Sequence, residues 1–295
     1  MAQSQWRKGD LRSVHQRVTE RIIEQLEQGV VPWHSPHIAK IGFPRNYQSE
    51  KAYRGINVML LAMAGYTSPW FLTYKQAQGR GGQVRKGEKG YPIVKFGSYS
   101  KELDDGEEEK RHFLRLYTVF NACQIDGIEF PQADLPPFTA STKTYVAKAI
   151  VTQMPHPPAI HEGRSVRTCY DPVADAIDIP HRSYFESGER FYKSLFHEMV
   201  HSTGAAKRLA RKSLMDNRGI SMSDKTIYGK EELVAEIGAA FLCAHAGIVM
   251  DNHENSASYI SSWLTVLKQG SNQRWIVEAA GQAQQAVDYI LKVEL

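Results

Sequence analysis

The stretch FHEMVHSTG, residues 196–204, places His197, Glu198 and His201 in the order His-Glu-x-x-His. That spacing calls for a helix. Positions i and i+4 of an α-helix lie one turn apart on the same face, so two imidazoles can aim at one ion from a rigid backbone. Glu198 then sits beside the ion, where its carboxylate can take a proton from water. The chain must therefore build a helix here, bury its apolar flank of Leu195, Phe196 and Val200, and bring a third ligand from elsewhere. Hydrolytic zinc sites hold the metal with three protein ligands and leave a fourth position open.

The third ligand is expected from a later helix. The segment YGKEELVAEIGAAFL, 228–242, offers Glu231, Glu232 and Glu236. Glu232 and Glu236 are four apart and share a face, beside an apolar stripe of Leu233, Ile237 and Ala240. We assign Glu232 as the ligand and Glu236 as the carboxylate that accepts the outer N–H of a ligand histidine. The expected ion is zinc, with another divalent metal such as manganese as the alternative. Tyr228 and His181 are candidates to stabilise an oxyanion. DAIDIPHRSYF, 175–185, reads as an edge strand on which a substrate backbone could add. His245, in an apolar helix, reads as a satisfied core histidine.

The half of the chain before this motif has a different character. The chain has 295 residues and a net charge of only +4, but the charge is uneven. From Lys40 to Lys95 ten Lys/Arg face two acids, whereas from residue 136 onward 17 face 17. Such a local excess draws polyanions. The same segment interleaves aromatics with the cations: Trp33, Arg45, Tyr47, Tyr53, Arg54, Trp70, Tyr74, Lys75, Arg80, Arg85, Lys86 and Lys89. Stacking aromatics beside phosphate-tracking cations is how single-stranded nucleic acid is held without base readout. Gly79, Gly81, Gly82, Gly87 and Gly90 would let backbone N–H groups approach phosphates. No zinc-finger or helix-turn-helix spacing is present.

Length suits two domains, and a proline-rich stretch near 131–140 marks their boundary: 1–135 and 136–295. The expected fold class is α+β, a small α+β domain followed by a mainly helical domain with a short sheet. Helices are expected near 10–28, 54–64, 141–153, 189–203, 230–246, 254–269 and 273–292. VVPWHSP reads as an extended loop, and 205–229 as a long one. Strands are expected in YPIVKFGSYS and HFLRLYTVFNACQI, with the charged link KELDDGEEEK as a hairpin tip. No run of about 18 apolar residues reads as a membrane span. The start of the chain lacks an apolar signal region. Cys123, Cys169 and Cys243 read as reduced thiols, which points to the cytoplasm.

The blocks VPWHSP, NYQSEKAYRGINVMLL, GYTSPWFLTYKQAQGRGGQVRKGEKGYPIVKF and LRLYTVFNACQI resemble the N-terminal domain of the ArdC antirestriction family, a domain shared with TraC-type primases of conjugative plasmids. DAIDIPHRSYF, FYKSLFHEMVHSTG, YGKEELVAEIGAAFL and SYISSWLTVLK resemble the zincin-like C-terminal domain of that family. The resemblance implies an N-terminal domain that binds single-stranded DNA, a metallopeptidase-like C-terminal domain, and protection of incoming plasmid DNA from host restriction. Two classes of function follow. In one, a zinc peptidase acts on a protein of the restriction machinery. In the other, the chain is a DNA-binding accessory whose zincin domain is a metal-holding scaffold.

Overall fold

The computed structural model describes residues 13–102, 108–132, 139–215, 225–249, 257–269 and 272–293. Helix α1 (Val14–Glu27) begins where the Ser13 side chain accepts the Gln16 N–H at 3.1 Å. It buries Val18, Ile22 and Leu26; the expected start of this helix, near residue 10, lies outside the described residues. VVPWHSP is not an extended loop. It winds into a 3-10 turn, Pro32–His34, and helix α2 (Pro36–Ile41). Proline opens both, where its missing N–H leaves no bond unmade.

Strand β1 (Arg45–Asn46), helix α3 (Ile56–Ala62), strand β2 (Trp70–Leu72), helix α4 (Tyr74–Gly79) and strand β3 (Gln83–Val84) follow. The two expected strands form one long hairpin, β4 (Tyr91–Glu102) with β5 (Glu108–Asn121), in register from Tyr91↔Val119 to Glu102↔Glu108. The tip, 103–107, lies outside the described residues. The sheet order is β1-β2-β5-β4, and β3 pairs with β6 (Ile125–Asp126). β4 is an edge, and the Asn57 side chain of α3 covers it: its amide donates to Val94 O at 2.8 Å and accepts the Val94 N–H at 2.7 Å. An edge strand satisfied by a side-chain amide has fewer free groups for unwanted pairing.

The second half holds α5 (Ala140–Gln153), β7 (Ala159–Glu162), β8 (Cys169–Asp171), β9 (Ala176–Ile179), α6 (Gly188–Thr203), α7 (Lys212–Met215), α8 (Lys225–His245), α9 (Ala257–Leu267) and α10 (Trp275–Leu291). Part of the expected long loop is thus helical, and α8 starts five residues before 230. β9 was expected at an edge; it is the middle strand, parallel to β7 and antiparallel to β8. Its buried Ala176, Ile177 and Ile179 explain why it is covered on both sides. The fold class is α+β as expected, a small α+β half and a mainly helical half with a short sheet. One apolar core runs through both, joining Val18, Trp33 and Val58 to Phe196, Phe241 and Ala283.

Candidate metal centre and nucleic-acid face

Ser187 caps α6 by accepting the Arg190 N–H, and Phe191, Leu195, Phe196, Met199 and Val200 bury one side of the helix. His197 and His201 are left on the side facing α8. The helices approach closely because α8 has no side chain at Gly238. A Cβ there would stand 2.8 and 2.9 Å from the two methyl carbons of Val200. This close crossing brings the α8 glutamates to the α6 histidines.

Three carboxylates then divide four imidazole nitrogens. Nε2 of His197 and Nε2 of His201 face each other at 3.1 Å. Glu232 meets both, each at 3.3 Å. Nδ1 of His201 meets Glu231 at 3.4 Å, and Nδ1 of His197 lies 3.7 Å from Glu236. Among the described residues, His197, His201 and Glu232 are the one set of three His, Cys, Asp or Glu side chains placed to hold an ion, their ligand atoms all within 4.8 Å. Two Nε2 atoms this close would repel if both carried protons. Converging lone pairs with a carboxylate suit a divalent cation. Burial alone would lower the pKa of His201, but Glu231 and Glu232 overcome it and raise it. Burial would likewise raise Glu232, but the two histidines hold it well below the usual carboxylate range. The cluster holds an excess of negative charge that draws a cation.

Two supporting residues escaped the sequence analysis. Glu231 was weighed there only as a ligand. It is 3% exposed and held ionised by Arg211, which reaches it at 2.5 and 3.2 Å, and by Ser213 at 2.5 Å. Adjacent helix positions point about 100° apart, so a glutamate beside a ligand glutamate needs its own cation, and AKRLARKS, 206–213, contained one. His34 comes from the other half of the chain. Its Nε2 lies 3.8 Å from Glu236, and its ring stacks on Tyr259 at 5.9 Å.

Glu198 is aimed by the sheet. The Tyr170 N–H of β8 donates to its carboxylate at 2.8 Å. Tyr170 is fixed in turn, its hydroxyl donating to Asp175 at 2.8 Å. Asp175 receives Arg208 at 2.7 and 2.9 Å, and the Arg208 side chain is fully buried. The edge strand beside the helix of the motif is therefore β8, not the segment 175–185. His181 is exposed, with Nδ1 at 2.8 Å from the Ser183 hydroxyl and Nε2 at 3.8 Å from Glu162. The Tyr228 side chain lies outside the described residues. His245 is not enclosed in the core; the residue is exposed at one edge, its ring tilted against Phe43 at 4.5 Å.

Comparison with known proteins places both halves. Residues 12–120 match the N-terminal domain of anti-restriction factor ArdC, and residues 147–282 match a zincin-like metallopeptidase. The crystal structure of metal-free antirestriction ArdC from plasmid R388 is similar with a TM-score of 0.77 and 38% identity, over 95% of this chain and 97% of that one. This chain belongs to the ArdC antirestriction family. The Mn(II)-bound R388 ArdC structure is similar at a TM-score of 0.75 and 37% identity, over 95% and 98% of the two chains. The Sinorhizobium fredii protein y4eC is 33% identical over 293 residues, 94% of this chain and 91% of that protein. The Escherichia coli DNA primase TraC is 33% identical over 304 residues, and the chain spans 27% of its length. The zincin-like fold implies a divalent metal, and the histidine and glutamate cluster fits one. Among the described residues, no helix of this ArdC-family chain is long and apolar enough to cross a membrane.

The ArdC-family N-terminal half sorts its candidate nucleic-acid residues into two groups. Tyr74, Lys75, Arg80, Lys86, Lys89 and Arg45 are exposed, and Tyr53 and Trp70 are half-buried. Arg80 lies over the Tyr47 ring at 4.9 Å. Trp33 is a correction. It is 2% exposed, donates to the Tyr259 hydroxyl at 3.3 Å and meets Trp263 edge-on, so no base can stack on it. Arg85 is exposed, and its charge is shared with Glu88 at 2.8 Å and Asp126 at 3.2 Å. Arg54 pairs with Asp288 of α10. Gly82 is also a packing residue, since a Cβ would stand 2.5 Å from Ile128 Cδ1, whereas Gly81, at φ 79°, opens on free space. A further cationic and aromatic face, not foreseen from the sequence, lies on the hairpin, where Lys95 stands over Tyr117 at 5.7 Å and Arg115 over Phe113 at 4.9 Å. The alternation in LRLYTVF, with Leu114 and Leu116 on one face and Arg115 and Tyr117 on the other, carried that signal.

Proposed function

We propose that this protein binds single-stranded DNA through its N-terminal unit, 1–135, and protects incoming conjugative DNA from host restriction in the cytoplasm. The C-terminal unit, 136–295, acts as a zinc peptidase on a protein of the restriction machinery. The observation that carries the peptidase reading is the convergence of His197, His201 and Glu232 beside a Glu198 carboxylate aimed by the Tyr170 N–H. His197, His201 and Glu232 hold the ion, and Glu236 orients His197. A zinc ion held there would supply Lewis-acid polarisation of the scissile carbonyl and of a water molecule. Glu198 accepts the proton from that water and returns it to the leaving nitrogen. The outer edge of β8, which already gives the Tyr170 N–H to Glu198, is where an extended substrate can lie beside that carboxylate. On the N-terminal unit, Tyr74, Lys75, Arg80, Lys86 and Lys89 track the strand, joined by the Lys95, Arg115 and Tyr117 face.

The test is transfer of unmodified conjugating DNA into restricting and non-restricting recipients that express the wild type or Glu198→Ala. Wild-type protein raises transfer into the restricting recipient alone. Loss of that gain in Glu198→Ala, with metal content and oligonucleotide binding unchanged, marks a peptidase. A retained gain marks a DNA-binding protein on a metal-holding scaffold. Equal gain in both recipients removes the antirestriction role.

A further inference from the structure

Four residues that the sequence marked for nucleic acid, Arg45, Tyr53, Arg54 and Trp70, do not spread over the surface. They converge on one cavity of about 470 Å³, a size typical of small-ligand sites. Its other wall comes from the second half of the chain, from Ala244 and His245 of α8 and Asp288 of α10. The Arg54–Asp288 ion pair ties the two walls together. Phe43 and Trp70 supply flat apolar surface, and the Phe43 ring meets His245 at 4.5 Å.

We infer that this cavity takes one unstacked nucleotide of a bound single strand, with the base against Trp70 and the paired Phe43 and His245 rings and the phosphate at Arg45. The inference rests on the single-strand reading above and deepens it. Arg45 is exposed, and among the described residues it has no carboxylate partner; its guanidinium donates to the Glu50 carbonyl at 3.5 Å. A cation left open beside flat rings is the pairing that a nucleotide requires. Although the residue keeps an edge open to solvent, the protein packed around its ring disfavours the charged form and pushes the His245 pKa down to about 4. Its ring is therefore neutral at pH 7, with one nitrogen donating and one accepting, as a base edge can use. His245 stands nine residues after Glu236 on α8. That is two and a half turns, about 13 Å along the axis and on the opposite face. A strand held here leaves the metal side of α8 open.

Anisotropy of a labelled oligothymidylate of about 12 nucleotides, measured on the whole chain at several salt concentrations, tests this. His245→Ala and the cavity-filling Ala52→Trp weaken binding roughly tenfold, the loss of one stacked base, with metal content unchanged. Arg45→Ala lowers the slope of log K against log salt by about 0.7, the value for one phosphate on a single strand. Free thymidine monophosphate competes with the oligonucleotide on the wild type and not on Ala52→Trp. If His245→Ala and Ala52→Trp both bind like the wild type, the cavity holds no base, and the single-strand reading stands without it. If the wild type binds no oligonucleotide, both fall. Should Ala52→Trp melt below the wild type, the exposed His245 ring decides alone.

Discussion

Glu232 and Glu236 are one helical turn apart, and the geometry gives them different tasks. Glu232 faces both Nε2 atoms at 3.3 Å, whereas Glu236 faces only the outer nitrogen of His197, at 3.7 Å. Glu232→Ala is therefore expected to remove the metal, and Glu236→Gln to weaken it by roughly 10–100-fold, as for other outer partners of ligand histidines. Metal content after dialysis against graded chelator reads both, and a larger loss in Glu236→Gln exchanges the two roles. Asp175 acts further out, through Tyr170 and Arg208. Burial would raise its pKa, but Arg208 and Lys207 hold it well below the usual carboxylate range. A carboxyl depressed in the folded state stabilises above its unfolded pKa, about 3.9, and that stability is lost as pH falls through the folded value. Asp175→Asn leaves the buried Arg208 unpaired and is expected to cost about 3 kcal/mol at neutral pH. Thermal melts should show the gap to the wild type at pH 7 and a narrowing gap below about pH 4. A gap that is constant with pH would mean that the charge of Asp175 is not what matters.

The crossing of α6 and α8 sets the distance from histidines to glutamates, and Gly238 sets the crossing. Gly238→Ala gains helix propensity of about 1 kcal/mol but presses a methyl onto Val200 at 2.8 Å. Val200 is β-branched on a helix and cannot turn away. Overpacking of this kind costs about 1–3 kcal/mol, so a lower melting temperature and weaker metal retention are expected together. Unchanged metal affinity would show that the cluster tolerates a wider crossing. Helices such as α6 and α8 were legible because apolar period and motif spacing agree on the same register. The Pro32–His34 turn and α2 were not. Their residues look like a loop by composition, and only the partners Tyr259, Trp263 and Glu236, more than 200 positions away in sequence, explain why Trp33 and His34 are buried. The middle position of β9 was hidden for the same reason, since pairing order depends on strands β7 and β8 and not on its own residues. Within the site, spacing alone put the histidine pair on one helix face and offered Glu232 and Glu236 on another, without choosing between the two glutamates. Glu231 with Arg211, and His34, depend on burial that no local pattern reports.

The apolar core does not respect the change in composition near residue 135. Val18, Ile22, Leu26 and Trp33 lie in one cluster with Trp263, Ile276 and Ala283, and the Thr19 hydroxyl donates to the Gln273 carbonyl at 2.7 Å. Charge and chemistry are divided between the halves, while the packing that holds them is shared. Binding of a strand by one half and reaction at the other would then occur on one rigid framework, with α8 carrying the metal cluster on one face and the cavity wall on the other. This has a calorimetric consequence. The whole chain is expected to unfold in a single transition, because separating the halves exposes the interface of α1 and the Pro32–His34 turn with α8, α9 and α10. Trp33→Ala removes a ring that is 2% exposed and is expected to cost about 3–5 kcal/mol, lowering that one transition as a unit. The loss should extend to the metal cluster, because His34 next to Trp33 approaches Glu236. Two transitions, with the later one and the metal content untouched by Trp33→Ala, would show instead that the halves fold and work independently.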